Sequence, residues 1–206
     1  MPGGRIMGMI GGVLVGVLAL LAVWVLAGIV PTLGIEEPSY RVLEERDGYE
    51  LRRYEPRLEV EARVRGGYEE SLGRGFRVLF RYISGENQGS EKIAMTAPVL
   101  HRDEEDGDGA AAHRVAFVLP SRYRKQDAPL PREADVRIVQ VEEHTAAALR
   151  FSGYATERRT AQKRSELLAR VRRDGLRIAG PARLAQHNPP WTPPFLRRNE
   201  ILLPVE

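Results

Sequence analysis

The chain has 206 residues and no cysteine, which excludes disulfides, thiolate metal ligands, covalent c-type haem attachment and a cysteine nucleophile. Its 31 Lys and Arg against 28 Asp and Glu leave a formal net charge of +3, and the positives, nearly all Arg, are scattered among acids. That is a mixed solvated surface rather than a nucleic-acid footprint, so no nucleic-acid partner is expected.

Residues 1–5 form a short tail, and residues 6–30 are almost wholly apolar, with no charged side chain between Arg5 and Glu36. As a helix, the stretch 6–30 would reach about 37 Å, enough to cross a hydrocarbon core of about 30 Å. A cleaved secretory signal is the rival reading, and Ala22, Ala27 and Gly28 leave cleavage open. A signal's apolar stretch, however, is only about 7–15 residues, so the length predicts an uncleaved single-pass membrane helix. Arg41, Arg46, Arg52 and Arg53 follow the helix but belong to a folded domain, and long domains cross largely regardless of charge. The expected location of that domain is extracytoplasmic.

Residues 31–39, with Pro31, Gly34 and Pro38, read as a linker to one domain over residues 40–206. Two β runs, 40–46 and 49–54, flank Asp47-Gly48, a hairpin signal because both residues tolerate positive φ. Residues 57–65 alternate: Leu58, Val60, Ala62 and Val64 face one way, and Glu59, Glu61, Arg63 and Arg65 the other, as in a half-buried strand. Over 68–83 the period becomes helical, with Leu72, Phe76, Leu79, Phe80 and Ile83 on one face. Strands are predicted at 93–100 and 115–119, separated by an acidic loop over 103–109. A second series follows: strands at 136–141 and 146–151, a helix over 159–171, one strand within 176–186, and a last strand at 201–205.

The order strand–helix–strand–strand thus occurs twice, which suggests an internal duplication. The fold class is α+β: two related halves forming a curved, mostly antiparallel sheet or distorted barrel, with two packed helices, preceded by one transmembrane helix.

Four strings stand in fixed order: Tyr49-Glu50-Leu51-Arg52-Arg53-Tyr54, Lys92-Ile93-Ala94-Met95-Thr96-Ala97-Pro98-Val99, Phe151-Ser152-Gly153, and Asn188-Pro189-Pro190-Trp191-Thr192 leading into Arg197-Arg198-Asn199-Glu200. The combination resembles the SOUL/haem-binding protein family over essentially the whole chain after Pro38. The resemblance implies a compact domain of two related halves that binds haem or another tetrapyrrole non-covalently in a shallow apolar site. Some members carry a His in the first string as the proposed iron ligand; the matching residue here is Arg53, which cannot ligate iron. The resemblance further implies that Leu72, Phe76 and Phe80 lie along the porphyrin, that Arg77 or Arg81 meets its propionates, and that Trp191 closes the other side.

Periodicity alone gives these residues plainer roles. An aromatic helical stripe is more often core than pocket, and Arg74, Arg77 and Arg81 read as a solvated face. Arg197, Arg198, Asn199 and Glu200 read as residues pinning the last strand. Of the four histidines, His101 and His113 flank the acidic loop and could be neighbours across a hairpin. His187, beside the Trp191 loop, is the candidate metal ligand. Neither a calcium loop, a phosphate loop nor a nucleophile elbow is present, so no enzyme is expected. The expected function is a membrane-anchored domain that carries, buffers or senses a tetrapyrrole. The alternative is a membrane-tethered protein-interaction module without a small ligand.

Overall fold

The structure, a computed structural model, describes residues 16–28, 30–105 and 111–206. One sheet contains β1 (Tyr40–Arg46), β2 (Tyr49–Tyr54), β3 (Arg57–Arg65), β4 (Val99–Glu105), β5 (Ala111–Val118), β6 (Val136–Val141), β7 (His144–Phe151), β8 (Arg183–Gln186) and β9 (Asn199–Val205). Helix α1 (Tyr68–Ile83) follows β3, and α2 (Glu157–Arg173) follows β7. The strand order is β1-β2-β7-β9-β8-β4-β5-β3-β6, and each ladder is antiparallel. The β1–β2 hairpin turns on Gly48 at φ +80°.

Chain connectivity forces this sheet to curl. β2 and β3 lie six places apart in the order, which is about 29 Å in a flat sheet at about 4.8 Å per strand. Only Glu55 and Pro56 join them, and three Cα–Cα links reach about 11 Å at most. The sheet therefore bends into a partly closed barrel, and Arg57 lies over the Tyr54 ring at 5.4 Å.

The expected duplication is visible in the topology. β3-α1-β4-β5 folds as β4-β5-β3, and β7-α2-β8-β9 folds as β8-β9-β7. In each half the last strand sits between the first two. The halves meet at the β4–β8 ladder, and each borrows an outer strand: β2 pairs with β7, and β6 with β3.

The convex side carries the helices. α1 covers Leu58, Val60, Val115 and Phe117, and α2 covers Leu149, Leu184, Ile201 and Leu203. The concave side is lined by small apolar residues, Ala116, Ala146, Ala148 and Ala185, and by charge. Here the half-buried reading of residues 57–65 needs correction. Glu59 and Glu61 are buried, because the face opposite Leu58 and Val60 points into the barrel rather than into solvent.

Two further expectations change. Residues 93–98 are not a strand; β4 begins at Val99, since Pro98 has no N–H to give a ladder. The segment is held instead by Ile93 N donating to Ile83 O and by Thr96 Oγ1 donating to Val118 O. The buried face of α1 is also rotated by roughly 60° from the expected stripe, at about 100° per residue. It consists of Tyr68, Ser71, Gly75, Leu79, Tyr82 and Ile83. Of the acidic loop, residues 103–105 belong to β4, and residues 106–110 lie outside the described residues.

Residues 16–28 are helical. Among the described residues no helix is long and apolar enough to cross a membrane. Residues 1–15 and residue 29, which complete the predicted 6–30 segment, lie outside the described residues.

Candidate functional site

Rotation of α1 about its axis decides what the helix displays. Gly75 and Ser71 let its backbone settle close to β5, and Leu79 and Tyr82 fill the interface. Phe76 and Phe80 are thereby left at the edge of the buried face, 37% and 50% exposed, rather than in the core. Their rings stack 12° from parallel with centroids 5.9 Å apart, and Phe76 meets buried Phe117 edge-on at 5.3 Å. The result is a flat apolar platform fixed from below.

Of the other predicted contacts, Arg77 is exposed beside the platform with no ion pair among the described residues. Arg81 is exposed but engaged, donating to Glu133 at 2.5 Å and lying 3.3 Å from Glu86. Leu72 is half-buried and belongs to the cluster of Phe151, Leu167 and Leu168 beneath α2.

Trp191 lies elsewhere. Its indole Nε1 donates to Ala27 O, and Trp24 Nε1 donates to Trp191 O. Thr192 Oγ1 donates to Gly28 O, so this loop holds the end of the helical segment 16–28. Arg197 fixes the loop by donating to Thr192 O and Pro190 O, with its guanidinium 4.4 Å from the centre of the Tyr154 ring. Asn199 Nδ2 donates to Gly153 O, in line with the pinning role expected of this string.

His187 faces the concave side, as do its neighbours Leu100, Glu200 and Leu202, whereas α1 packs on the convex side. Its Nδ1 and Nε2 each lie 3.4 Å from a carboxylate, those of Glu37 and Glu200. The structure thus separates His187 from the Phe76–Phe80 platform. His144 stacks on Tyr54 at 5.6 Å. His101 and His113 are neighbours across the β4–β5 hairpin, as expected, and lie beneath Tyr68. None of the four presents an imidazole on the platform.

The concave side holds the residues that pattern reading missed. Arg52 donates to Glu200 at 2.9 Å and to Glu50 at 2.7 Å, and Arg198 Nε donates to Glu200 at 3.1 Å. Glu59 accepts from Arg57 at 2.9 Å and from Arg183 at 2.5 Å. Burial would raise the Glu200 and Glu59 carboxyls; nearby His187 and the hydrogen-bonded Arg52 outweigh it at Glu200, and the guanidiniums of Arg183 and Arg57 at Glu59, holding both below the usual range. Arg52 and Glu200 belong to two of the four ordered strings, and that association was the available signal.

This network fills the barrel. The cavity it leaves, beside Tyr40, Tyr54, Leu100 and His187, is about 10 Å³, the scale of one water. A larger open cleft of about 640 Å³ lies among Glu36, Pro56, Thr96, Pro120, Tyr123 and Lys125. Its lining is mixed polar and charged, whereas a macrocycle is held mainly by apolar and aromatic side chains. Phe76 and Phe80 fit that requirement, and Arg77 offers a guanidinium for a carboxylate.

Comparison with protein families matches residues 35–204 to the family described as SOUL heme-binding protein. Heme-binding protein 2 of Homo sapiens is 30% identical over 149 residues, covering 68% of this chain and 72% of that protein. Heme-binding protein 1 of Xenopus laevis is 28% identical over 175 residues, covering 82% of this chain and 91% of that protein. Among solved structures, the EcmrR C-terminal domain has a TM-score of 0.59 at 14% identity, covering 81% of this chain and 98% of that one. A hydrolase from Listeria innocua has a TM-score of 0.52 at 13% identity, covering 80% and 94%. At such identities the likeness is one of fold alone. The family match, by contrast, supports non-covalent haem or another tetrapyrrole as the cofactor. With nearly the whole domain matched, the chain belongs to the SOUL heme-binding protein family.

Proposed function

We propose that this domain binds haem or a related tetrapyrrole non-covalently on the exposed face of α1, and carries, buffers or senses it beside a membrane. The observation that carries the reading is the stacked, exposed Phe76–Phe80 pair over buried Phe117. The tetrapyrrole supplies a light-absorbing macrocycle and, in haem, a redox-active iron. Phe76 and Phe80 supply its apolar contact, and Arg77 pairs with a propionate. The role is binding rather than catalysis.

Because no imidazole lies on the platform, haem and metal-free protoporphyrin should bind the full chain with similar affinity, within about threefold. Absorbance titration in mild detergent checks this. Binding of haem alone, with a Soret shift characteristic of His ligation, would contradict it. Linear, non-saturating responses to both would leave the platform as a surface for a protein partner.

The membrane anchor is the second part of the proposal. Leu18, Leu20, Val23 and Leu26 are 57%, 72%, 62% and 57% exposed, so the helical segment 16–28, held by the Trp191–Thr192 loop only at its end, keeps an apolar surface uncovered. A bilayer around residues 6–30 would cover it, with the domain outside the cytoplasm. The chain should then stay with membranes through alkaline extraction and be cut by protease added from outside the cell. Recovery in the alkaline supernatant would overturn the anchor, and protection from the protease would reverse the orientation.

A further inference from the structure

On the convex side of the sheet, β4 and β5 bring three metal-ligating side chains to one point. Asp103 stands opposite His113 in the ladder, and His101 lies two residues back on the same face of β4. His101 Nε2 is 3.1 Å from His113 Nδ1, and that same nitrogen is 3.2 Å from Asp103 Oδ1. Ligand atoms of all three lie within 4.8 Å of one another. Two ligands each held about 2.0–2.1 Å from a divalent ion stand about 2.9 Å apart at a right angle and about 3.3 Å apart at the tetrahedral angle. The two short separations fall between these values.

Hydrogen bonding alone fits the group poorly. His113 Nδ1 faces both other atoms, and one ring nitrogen offers either a proton or a lone pair, never both. It cannot donate to Asp103 and also accept from His101, so hydrogen bonding alone would need one N–H shared between Asp103 Oδ1 and His101 Nε2. His101 Nδ1, on the far edge of a ring that is almost wholly buried, has no hydrogen-bond partner at all. A cation that takes one lone pair from each of the three side chains removes the conflict at His113.

The surroundings suit that role. His101 is almost wholly buried beside His113, and burial disfavours a charged imidazolium, so its lone pair is available to a cation. Arg164 of α2 donates to Asp103 Oδ2, which leaves Oδ1 turned towards the imidazoles. Such outer contacts are how ligating carboxylates are commonly oriented. Tyr68 lies edge-on to both rings, at 4.9 and 6.3 Å. The Asp103 side chain is about half exposed, so an ion can enter and water can complete its coordination.

We propose that His101, His113 and Asp103 form a binding site for one first-row divalent cation of the zinc type. Two imidazoles and one carboxylate are the ligand set such ions favour over calcium or magnesium. The site is separate from the Phe76–Phe80 platform and does not depend on tetrapyrrole binding.

The test uses the full chain without an oligohistidine tag, stripped with chelator and titrated with zinc by calorimetry and with cobalt by visible absorbance. One saturable zinc per chain is expected, with cobalt ligand-field bands at the same stoichiometry. His113→Ala and Asp103→Asn should each weaken zinc binding at least tenfold, and His187→Ala should leave it unchanged. Asp103 is the exposed member, so Asp103→Asn keeps the test valid if His113→Ala does not fold. No saturable binding, or equal affinity in the wild type and Asp103→Asn, would overturn the proposal.

Discussion

Glu200 shows what a single residue contributes here. It is buried in the barrel, accepts from Arg52 and Arg198, and lies 3.4 Å from His187. Removing one partner of such a group leaves the other charges buried and uncompensated. Glu200→Leu should therefore cost about 3–5 kcal/mol, read from the urea midpoint and slope. A loss below about 1 kcal/mol would show that the network is solvated. The pH dependence has a definite sign. The folded carboxyl lies below its ordinary value of 4.5, so the ionised form contributes stability above about that pH. That contribution is lost as pH falls through the lower folded value, and Glu59 acts in the same direction. Glu200→Leu should flatten the loss of stability below about pH 4.5. None of this was legible locally: Glu59 and Glu61 alternate with apolar residues just as solvent-facing residues do, and Arg52 and Glu200 are 148 residues apart. Periodicity finds two faces of a strand but does not say whether the polar one meets water or the inside of a barrel.

At the scale of the element, α1 separates local preference from tertiary fit. Ala normally stabilises an exposed helix interior over Gly by about 1 kcal/mol. At Gly75 an added Cβ would lie 2.4 Å from Val115 Cγ2 and 2.6 Å from Val115 Cβ. Gly75→Ala should therefore destabilise, by about 1–3 kcal/mol, and Val115→Ala in the same chain should recover part of that loss. A gain in thermal midpoint from Gly75→Ala alone would refute the close approach. The same glycine explains why the existence and limits of α1 were readable but its facing was not. Apolar period marked Phe76 and Phe80 as core, whereas the backbone approaches β5 through Gly75 and Ser71, which carry little hydropathy signal. The β1–β2 hairpin was fully readable, since Asp47-Gly48 and the alternation beside it are local.

Across the whole molecule, the duplicated order of elements and the sheet's curl set three surfaces apart. The concave side is filled by ion pairs, the two helices cover most of the convex side, and α1 leaves the aromatic platform uncovered. The sequence order made the two halves legible, but not the exchange of β2 and β6 between them, which depends on pairings far apart in the chain. Of the site residues expected from the sequence, Phe76, Phe80 and Arg77 share one surface; Trp191 was grouped with them by the family resemblance and His187 by its place beside the Trp191 loop, and nearness in the chain does not report position in the fold. The central claim is that the tetrapyrrole rests on α1. Its most direct test is haem titration of the full chain and of Phe76→Ala/Phe80→Ala, with Arg124→Ala/Lys125→Ala in the 640 Å³ cleft as the comparison. Two lost aromatic contacts at about 0.5–1.5 kcal/mol each predict a roughly tenfold or greater loss of affinity, with the cleft variant unchanged. An unchanged Phe76→Ala/Phe80→Ala affinity alongside a weakened cleft variant would move the site to the cleft and contradict the account.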